Sequence, residues 1–468
     1  MGPPNKEPMH NRRDLLKLFL ASPLALAACR PSARPQEPIG LPQEDSIIII
    51  GAGISGLAAA KELSRYKMKV MVLEARDRVG GRIHTDRSWK APIDLGASWI
   101  HGVRKNPISQ LVRKFNLKTK ETDYEAQEIY DNGKALSKKE KQALEDKFYA
   151  LFDKLTKTAS DMQKKKQTDI TIDNALQTLL PQGTTSATDY RRLQHMLSVE
   201  VDNEYAASPD QLSLFYWQEG ESLRGDDAVF LNGYDEIPKK LAEGLDIKLS
   251  HVVSLIEYSE AGVNVVTDKG NFTADRVIIT LPLGVLKSGG VKFSPELPVS
   301  KSAAIQNLGM GLLDKVYLKF PKNFWAAKGT EIISYISAQR GNFPYILNME
   351  HYTGDPVLQM FTAAAVAEGI EQQRERDVVG RAVSALREMF GDKVVEPEDY
   401  KITHWKQDPF SQGSYSYLAY GSSPESFDAL AAPVGDRLFF AGEATNRDYN
   451  ATVHGAYLSG LREARRWR

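Results

Sequence analysis

The stretch SIIIIGAGISGLAAAKEL, from Ser46 to Leu63, leaves this chain few folds to choose from. Ile47 to Ile50 are β-branched in succession, the pattern of a strand buried on both faces of a parallel sheet. Gly51, Gly53 and Gly56 follow at once, and from Leu57 onward the composition is helical. Strand, G-x-G-x-x-G and helix in that order read as a dinucleotide-binding crossover. Gly51 permits the tight turn, Gly53 lets a pyrophosphate approach the backbone at the helix N-terminus, and Gly56 allows close packing of helix on strand. KVMVLEAR supplies a second strand. Glu74 at its end falls about 20 residues beyond the glycines, where a carboxylate takes the ribose hydroxyls and disfavours a 2′-phosphate. The motif by itself does not separate NAD from FAD. The expected fold class is α/β, with a Rossmann-type domain.

Composition narrows the function. Hydrophobic residues make up 42% and charged residues 26% of the chain, as in an ordinary globular body. With 60 basic and 60 acidic residues the net charge is zero, which removes an electrostatic case for nucleic acid as partner. A single cysteine, Cys29, allows no intrachain disulfide and no cysteine-rich metal site; no metal is expected. About 440 residues follow it, room for two domains.

That cysteine closes the stretch NRRDLLKLFLASPLALAAC. Leu15 to Ala28 has the length of a secretory apolar region and is short for a membrane span, with Arg12, Arg13 and Lys17 at its N-terminal end. LALAAC resembles the lipobox of bacterial lipoproteins and NRRDLLK a twin-arginine export signal. The four prolines of PSARPQEPIGLPQED make a stiff, extended tether. The expectation is a twin-arginine lipoprotein signal over 1–28, a tether over 29–45, lipidation of Cys29, and a globular body held in the bacterial periplasm or cell envelope. The membrane is met through that anchor only.

ARDRVGGRIHT, with Gly80, Gly81 and then Arg82, resembles the extended fingerprint of the flavin amine oxidase superfamily. HVVSLIEYSEAGVNVVTDKGNFTADRVIITLPLGVLK reads as a β-meander followed by a return to the nucleotide domain; with THWKQDPFSQGSYSYLAYGSS and RLFFAGEATNRDYNATVHGAYLSGLREARR it resembles the branch holding polyamine oxidases, spermine oxidases and lysine-specific histone demethylases. The resemblance implies a discontinuous FAD-binding domain (46–102, 225–300 and 403–468) and an α+β substrate domain (103–224 and 301–402). It implies FAD contacts from Gly51, Gly53, Ser55, Gly56, Glu74, Arg76, Gly81, Arg82, Ala97, Ser98, Trp99, Val253, Trp405, Glu443, Thr452 and Val453. Val253 is expected at the adenine and Glu443 at the ribityl–pyrophosphate region. Thr452 and Val453 are expected to start a helix whose N–H groups favour the anionic reduced flavin. Arg82 offers a bidentate cation to the pyrophosphate. Monoamine oxidases attach FAD to a cysteine where this chain has Ser414, so the FAD is expected to be non-covalent. A twin-arginine route, which carries folded proteins, suits a flavoprotein that collects its cofactor before export.

The chemistry implied is hydride transfer from an amine carbon to flavin N5, hydrolysis of the imine, and reduction of O2 to H2O2. Lys315, in LLDKVYLKF, matches a family lysine that holds a water against N5, and burial there would lower its pKa. Tyr415, in GSYSY, matches a ring flanking the substrate amine. His101, closing DLGASWIHG, matches a histidine able to hydrogen-bond a secondary amine. Thr452 stands where monoamine oxidases have a second tyrosine, which agrees with the polyamine branch. Glu219 and Glu221, in YWQEGESLRGDD, are candidates for a distal ammonium, against the ordinary solvation of loop carboxylates. SKKE from Ser137 and SPDQ from Ser208 read as helix-starting capping boxes. DKVYLKF and VLQMFTAAAV read as strands. Three functions compete: a polyamine oxidase, a flavin oxidase of monoamines or amino acids, and a non-catalytic FAD-stabilised lipoprotein.

Overall fold

The computed structural model describes residues 45–467 apart from 67, 181–184 and 326–328. The expected signal, Cys29 and all of the tether but Asp45 lie outside the described residues.

The isoleucine run forms the strand Ser46–Ile50 in the middle of a five-stranded parallel sheet. Lys69–Leu73 and Arg276–Ile279 flank it, with Ile247–Lys248 and Leu438–Phe440 at the edges. Ile47 to Ile50 are all within 2% exposure, because helices cover one face and a second sheet the other. That second sheet is the meander read in the sequence: Val253–Ser259, Gly262–Thr267 and Gly270–Ala274 pair antiparallel, and the chain then re-enters the parallel sheet at Arg276. The first helix, Ile54–Leu63, packs against the last, Val453–Ala464. Contact is close because a Cβ on Gly460 would sit 2.1 Å from the Ser55 carbonyl oxygen.

The rest is built on a seven-stranded sheet and a helical cluster. The helix Lys138–Lys164 starts at the capping box read at Ser137: Ser137 Oγ accepts from the Glu140 N–H and the Glu140 carboxylate accepts from the Ser137 N–H. It buries Leu144, Phe148, Leu151, Phe152, Leu155 and Ala159, spaced to fall on one face. SPDQ starts no helix. Gln211 Oε1 accepts from the Ser208 N–H and the Gln211 N–H returns to Ser208 O, so the same side-chain logic closes a turn where no amphipathic run follows. VLQMFTAAAV is strand only over Val357–Ala363; Ala364 takes φ +52° and begins the helix Ala364–Glu371. The edge of pairing explains this: Ala363 is opposite Leu313, the first residue of the neighbouring strand.

That neighbour, Leu313–Lys319, shows the two-residue period of a strand. Val316 and Leu318 face the helix Glu375–Phe390 through Val378, Ala382 and Leu386, while Tyr317 joins Tyr345 and Phe361 in a separate core. Lys315 lies on the Tyr317 side, toward the parallel sheet. No described helix is long and apolar enough to cross a membrane.

Candidate active site

A cavity of about 560 Å³ runs from the carboxyl ends of the parallel strands to the seven-stranded sheet. Fifteen of the sixteen residues expected to touch FAD line it, as do three of those expected to touch substrate.

At the nucleotide end, Gly51, Gly53, Ser55, Glu74, Arg76, Gly81, Arg82 and Val253 all line the cavity. Gly51 has φ +102°, and a Cβ on Gly53 would meet nothing within 4 Å: its backbone faces open space. Gly56 sits behind the wall, in the helix–strand contact. Glu74 accepts from the N–H groups of Ala52 (2.6 Å) and Arg76 (2.9 Å). Burial pushes its carboxyl pKa up, against those two donors and the nearby Arg76 and Arg78. Arg76 is bound bidentately by Asp408 at 2.8 and 2.6 Å. Arg82 gives Nη1 to Ser414 O and to Glu443, so it is tied by a carboxylate partner as well as bordering the cavity. Ser55 Oγ faces Ser459 Oγ at 3.2 Å, which leaves its place at the helix N-terminus, rather than its hydroxyl, for a ligand. Glu443 also accepts from Ser416 Oγ and the Ala451 N–H.

These residues fit FAD. Two helices of ten and twelve residues begin at the cavity wall, at Ile54 and Val453, and neither has an acidic residue in its first turn. Their N–H ends are therefore left to attract an anion. Thr452 caps the second one, accepting from the Gly455 N–H at 2.9 Å.

At the other end the sheet register assembles the chemistry. Lys315 is opposite Phe361, and Phe361 opposite Tyr345. All three line the cavity, with Leu313, Trp99 and Trp405. Lys315 Nζ donates to Asp94 O (2.8 Å), Ser98 Oγ (2.7 Å) and Gly96 O. Burial pulls its pKa well below the usual lysine range, with Asp94 and Asp314 opposing. Trp405 Nε1 donates to Leu95 O and Trp99 Nε1 to Thr122 Oγ1. Ala97 and Ser98 complete this wall. Tyr415 lines the cavity with its hydroxyl donated to Asn203 O at 2.6 Å. His101 lines it too, with Nδ1 2.8 Å from Asp227 Oδ2.

Glu219 and Glu221 are not brought in. Glu219 is paired with Arg447 at 3.0 Å, and Glu221 accepts from the Tyr449 hydroxyl at 3.2 Å; both border a separate small recess. Local cation and hydroxyl partners satisfy them outside the cavity, as expected of loop carboxylates. Besides Glu74 and Glu443 at the nucleotide end, the acidic residues that line the cavity are Glu200, Glu204 and Asp227. Reading from sequence passed over all three. Asp227 stands in the quoted LRGDD run, but nothing there marks it from Asp226. Glu200 is carried inward by a π-helical turn, Ser198–Asp202, a local distortion without a residue pattern.

A parallel sheet whose glycine-rich turn opens on a cavity at the strands' carboxyl ends defines a dinucleotide-binding protein. The chain belongs to the flavin containing amine oxidoreductase family, whose model matches residues 54–467. It is 37% identical to polyamine oxidase 4 of Oryza sativa subsp. japonica, over 90% of this chain and 88% of the relative. It is 38% identical to lysine-specific histone demethylase 1 homolog 1 of Arabidopsis thaliana, over 90% of this chain but 51% of that protein. Its fold is similar to that of a putrescine oxidase solved with putrescine, with TM-score 0.73 and 21% identity over 91% of this chain and 99% of the other. The protein is an FAD-dependent amine oxidase with non-covalent FAD.

Proposed function

We propose that this enzyme oxidises polyamines and is an exported, lipid-anchored protein. One observation carries the substrate class. The end of the cavity that holds Lys315, His101 and Tyr415 is walled by Trp99, Tyr345 and Phe361 and carries the carboxyl groups of Glu200, Glu204 and Asp227. A chain of methylenes with more than one ammonium matches apolar walls interrupted by acidic groups. The polyamine oxidases among its relatives support the same class.

Bound FAD supplies the two-electron acceptor for the hydride on the carbon beside nitrogen, with O2 as the final acceptor. The chain's own residues place and prepare the amine. The aromatic walls exclude water and hold the carbon chain. Tyr415 is locked by its bond to Asn203 O, so its ring is pre-set. The imine is hydrolysed by water to an aldehyde and an amine. Recognition of an amino-acid carboxylate would need an arginine in this slot. The cavity's arginines, Arg76 and Arg82, belong to the nucleotide end and are paired with Asp408 and Glu443, which favours the polyamine reading.

Anaerobic mixing with spermine, spermidine, N-acetylspermine, putrescine and tyramine tests it. A polyamine should bleach the flavin at least about tenfold faster than tyramine. Faster bleaching by tyramine, or none by any amine, overturns the substrate class.

Export rests on the sequence pattern of residues 1–29, outside the described residues. Cys29→Ala should release active protein from the membrane fraction. Arg12→Lys with Arg13→Lys should trap yellow, folded protein in the cytoplasm. Unchanged fractionation of both variants overturns it.

A further inference from the structure

Three segments distant in sequence meet at His101. Trp99–Ile100 pairs antiparallel with Ala228–Phe230, Ile100 opposite Ala228, so one step further along that ladder sets His101 against Asp227. The strand Thr119–Glu121 pairs with the same strand from its other edge and is followed by Tyr124. Asp227, 4% exposed in its side chain, accepts three hydrogen bonds. The Gly102 N–H reaches Oδ1 at 2.8 Å, and the Tyr124 hydroxyl (2.9 Å) and His101 Nδ1 (2.8 Å) reach Oδ2.

The tautomer follows from this count. A backbone N–H can only donate, and an ionised carboxylate can only accept. Burial disfavours the ionised form, but His101 and the three donors outweigh it and hold the Asp227 carboxyl below its ordinary range. The proton between the two side chains therefore sits on Nδ1, and Nε2 is the ring nitrogen left for a ligand.

We propose that Asp227 is a positioning residue for His101, fixing the imidazole with its proton on Nδ1 so that Nε2 accepts a proton from the ammonium of the incoming amine. Hydride leaves only from a neutral amine, so this prepares the substrate. One N–H bond of the ammonium breaks, its electron pair stays on nitrogen as the lone pair, and the proton bonds to Nε2. The imidazolium then faces the Asp227 carboxylate, and the total charge of the site is unchanged. The proton returns to solvent before the next turnover. At this end of the cavity the charged and titratable groups around His101 are Asp227 and Tyr124 beside it, Glu200 and Glu204 from the Ser198–Tyr205 segment, Lys315 and Tyr345 from the seven-stranded sheet, and Tyr415.

The test uses the FAD-loaded enzyme and two readouts. The first is the ¹⁵N spectrum of histidine-labelled protein, with His101 assigned by its loss in His101→Gln. Wild type should show a neutral ring protonated on Nδ1. Asp227→Asn keeps an acceptor for Gly102 but turns an amide donor toward the ring, so the proton should move to Nε2. The second is anaerobic flavin reduction against pH, with spermine or whichever amine bleaches the flavin fastest. Asp227→Asn should slow reduction about 100-fold near pH 7, and the deficit should shrink toward alkaline pH as neutral amine becomes abundant. FAD content and the visible spectrum should be unchanged. A wild-type ring protonated on Nε2 overturns the proposal without any variant. An Asp227→Asn deficit equal at all pH values overturns it as well, since a merely structural loss has that form. Because the substrate is chosen by its own bleaching rate, failure of the polyamine reading leaves both outcomes readable.

Discussion

Lys315 is buried with its ammonium among two carbonyls and a hydroxyl, in the cavity that takes the flavin. Replacing it by methionine keeps most of the stem and removes charge and donors. Lys315→Met should retain FAD and reduce flavin within about threefold of wild type, while slowing oxygen-dependent reoxidation or product handling by about tenfold or more. Stopped-flow separation of the two half-reactions checks this; a defect confined to reduction would reassign Lys315 to substrate placement. Its neighbour on the strand makes a second prediction. Asp314 is fully buried on the opposite face, where Oδ1 accepts from Thr403 Oγ1 (2.6 Å) and the Trp405 N–H (3.2 Å). Burial, then the adjacent Glu371 carboxyl, drives its pKa well above the carboxylate range, which favours the neutral acid. Asparagine imitates that acid. Asp314→Asn should leave the melting temperature within a few degrees of wild type, whereas Asp314→Ala should cost about 2–4 kcal/mol. Equal losses in the two variants, measured by thermal unfolding, would show that a charged Asp314 is required.

At the scale of elements, register does what proximity in sequence does not. It puts Lys315, Phe361 and Tyr345 in one row and His101 opposite Asp227. Helix ends are handled as deliberately. The helix Glu425–Ala431 stops at carbonyls that accept from the buried Lys301, at 3.0 Å for Ala429 O and 2.6 Å for Leu430 O. The Lys301 ammonium also lies 3.8 Å from the centre of the Phe440 ring, on the strand that leads to Glu443. Burial lowers the Lys301 pKa to about 7 from 10.5. Between those values the unfolded chain binds the proton more readily than the folded one, so this group makes stability rise with pH across that window and adds no slope outside it. Lys301→Met should flatten the rise in melting temperature between pH 7 and 10, an effect on the order of 5 kcal/mol across the window. An unchanged pH profile would mean that Lys301 stays charged when folded.

For the whole molecule, FAD joins both halves of the structure, since its site is lined by the parallel sheet, the seven-stranded sheet and the last helix together. Acid or heat denaturation should release all yellow colour to the supernatant, at one FAD per chain. Free FAD at about 100 times its dissociation constant should stabilise the apoprotein by about 2.7 kcal/mol, visible as a raised melting temperature. Colour that remains with the precipitate would show a covalent bond. The sequence by itself determined the Rossmann unit, the β-meander and the long capped helix. Each rests on signals among neighbouring residues: an isoleucine run, glycine spacing, alternation, a Ser137–Glu140 box. It also pointed to Lys315, His101 and Tyr415, through motifs short enough to be matched residue by residue. The tertiary structure alone decided that Asp227 faces His101, that Glu200 and Glu204 enter the cavity, and that Glu219 and Glu221 are spent on Arg447 and Tyr449 outside it. A carboxylate's role depends on which donor stands within hydrogen-bond reach, and those donors come from strands and loops far away in the chain, brought together only when the sheets take their register.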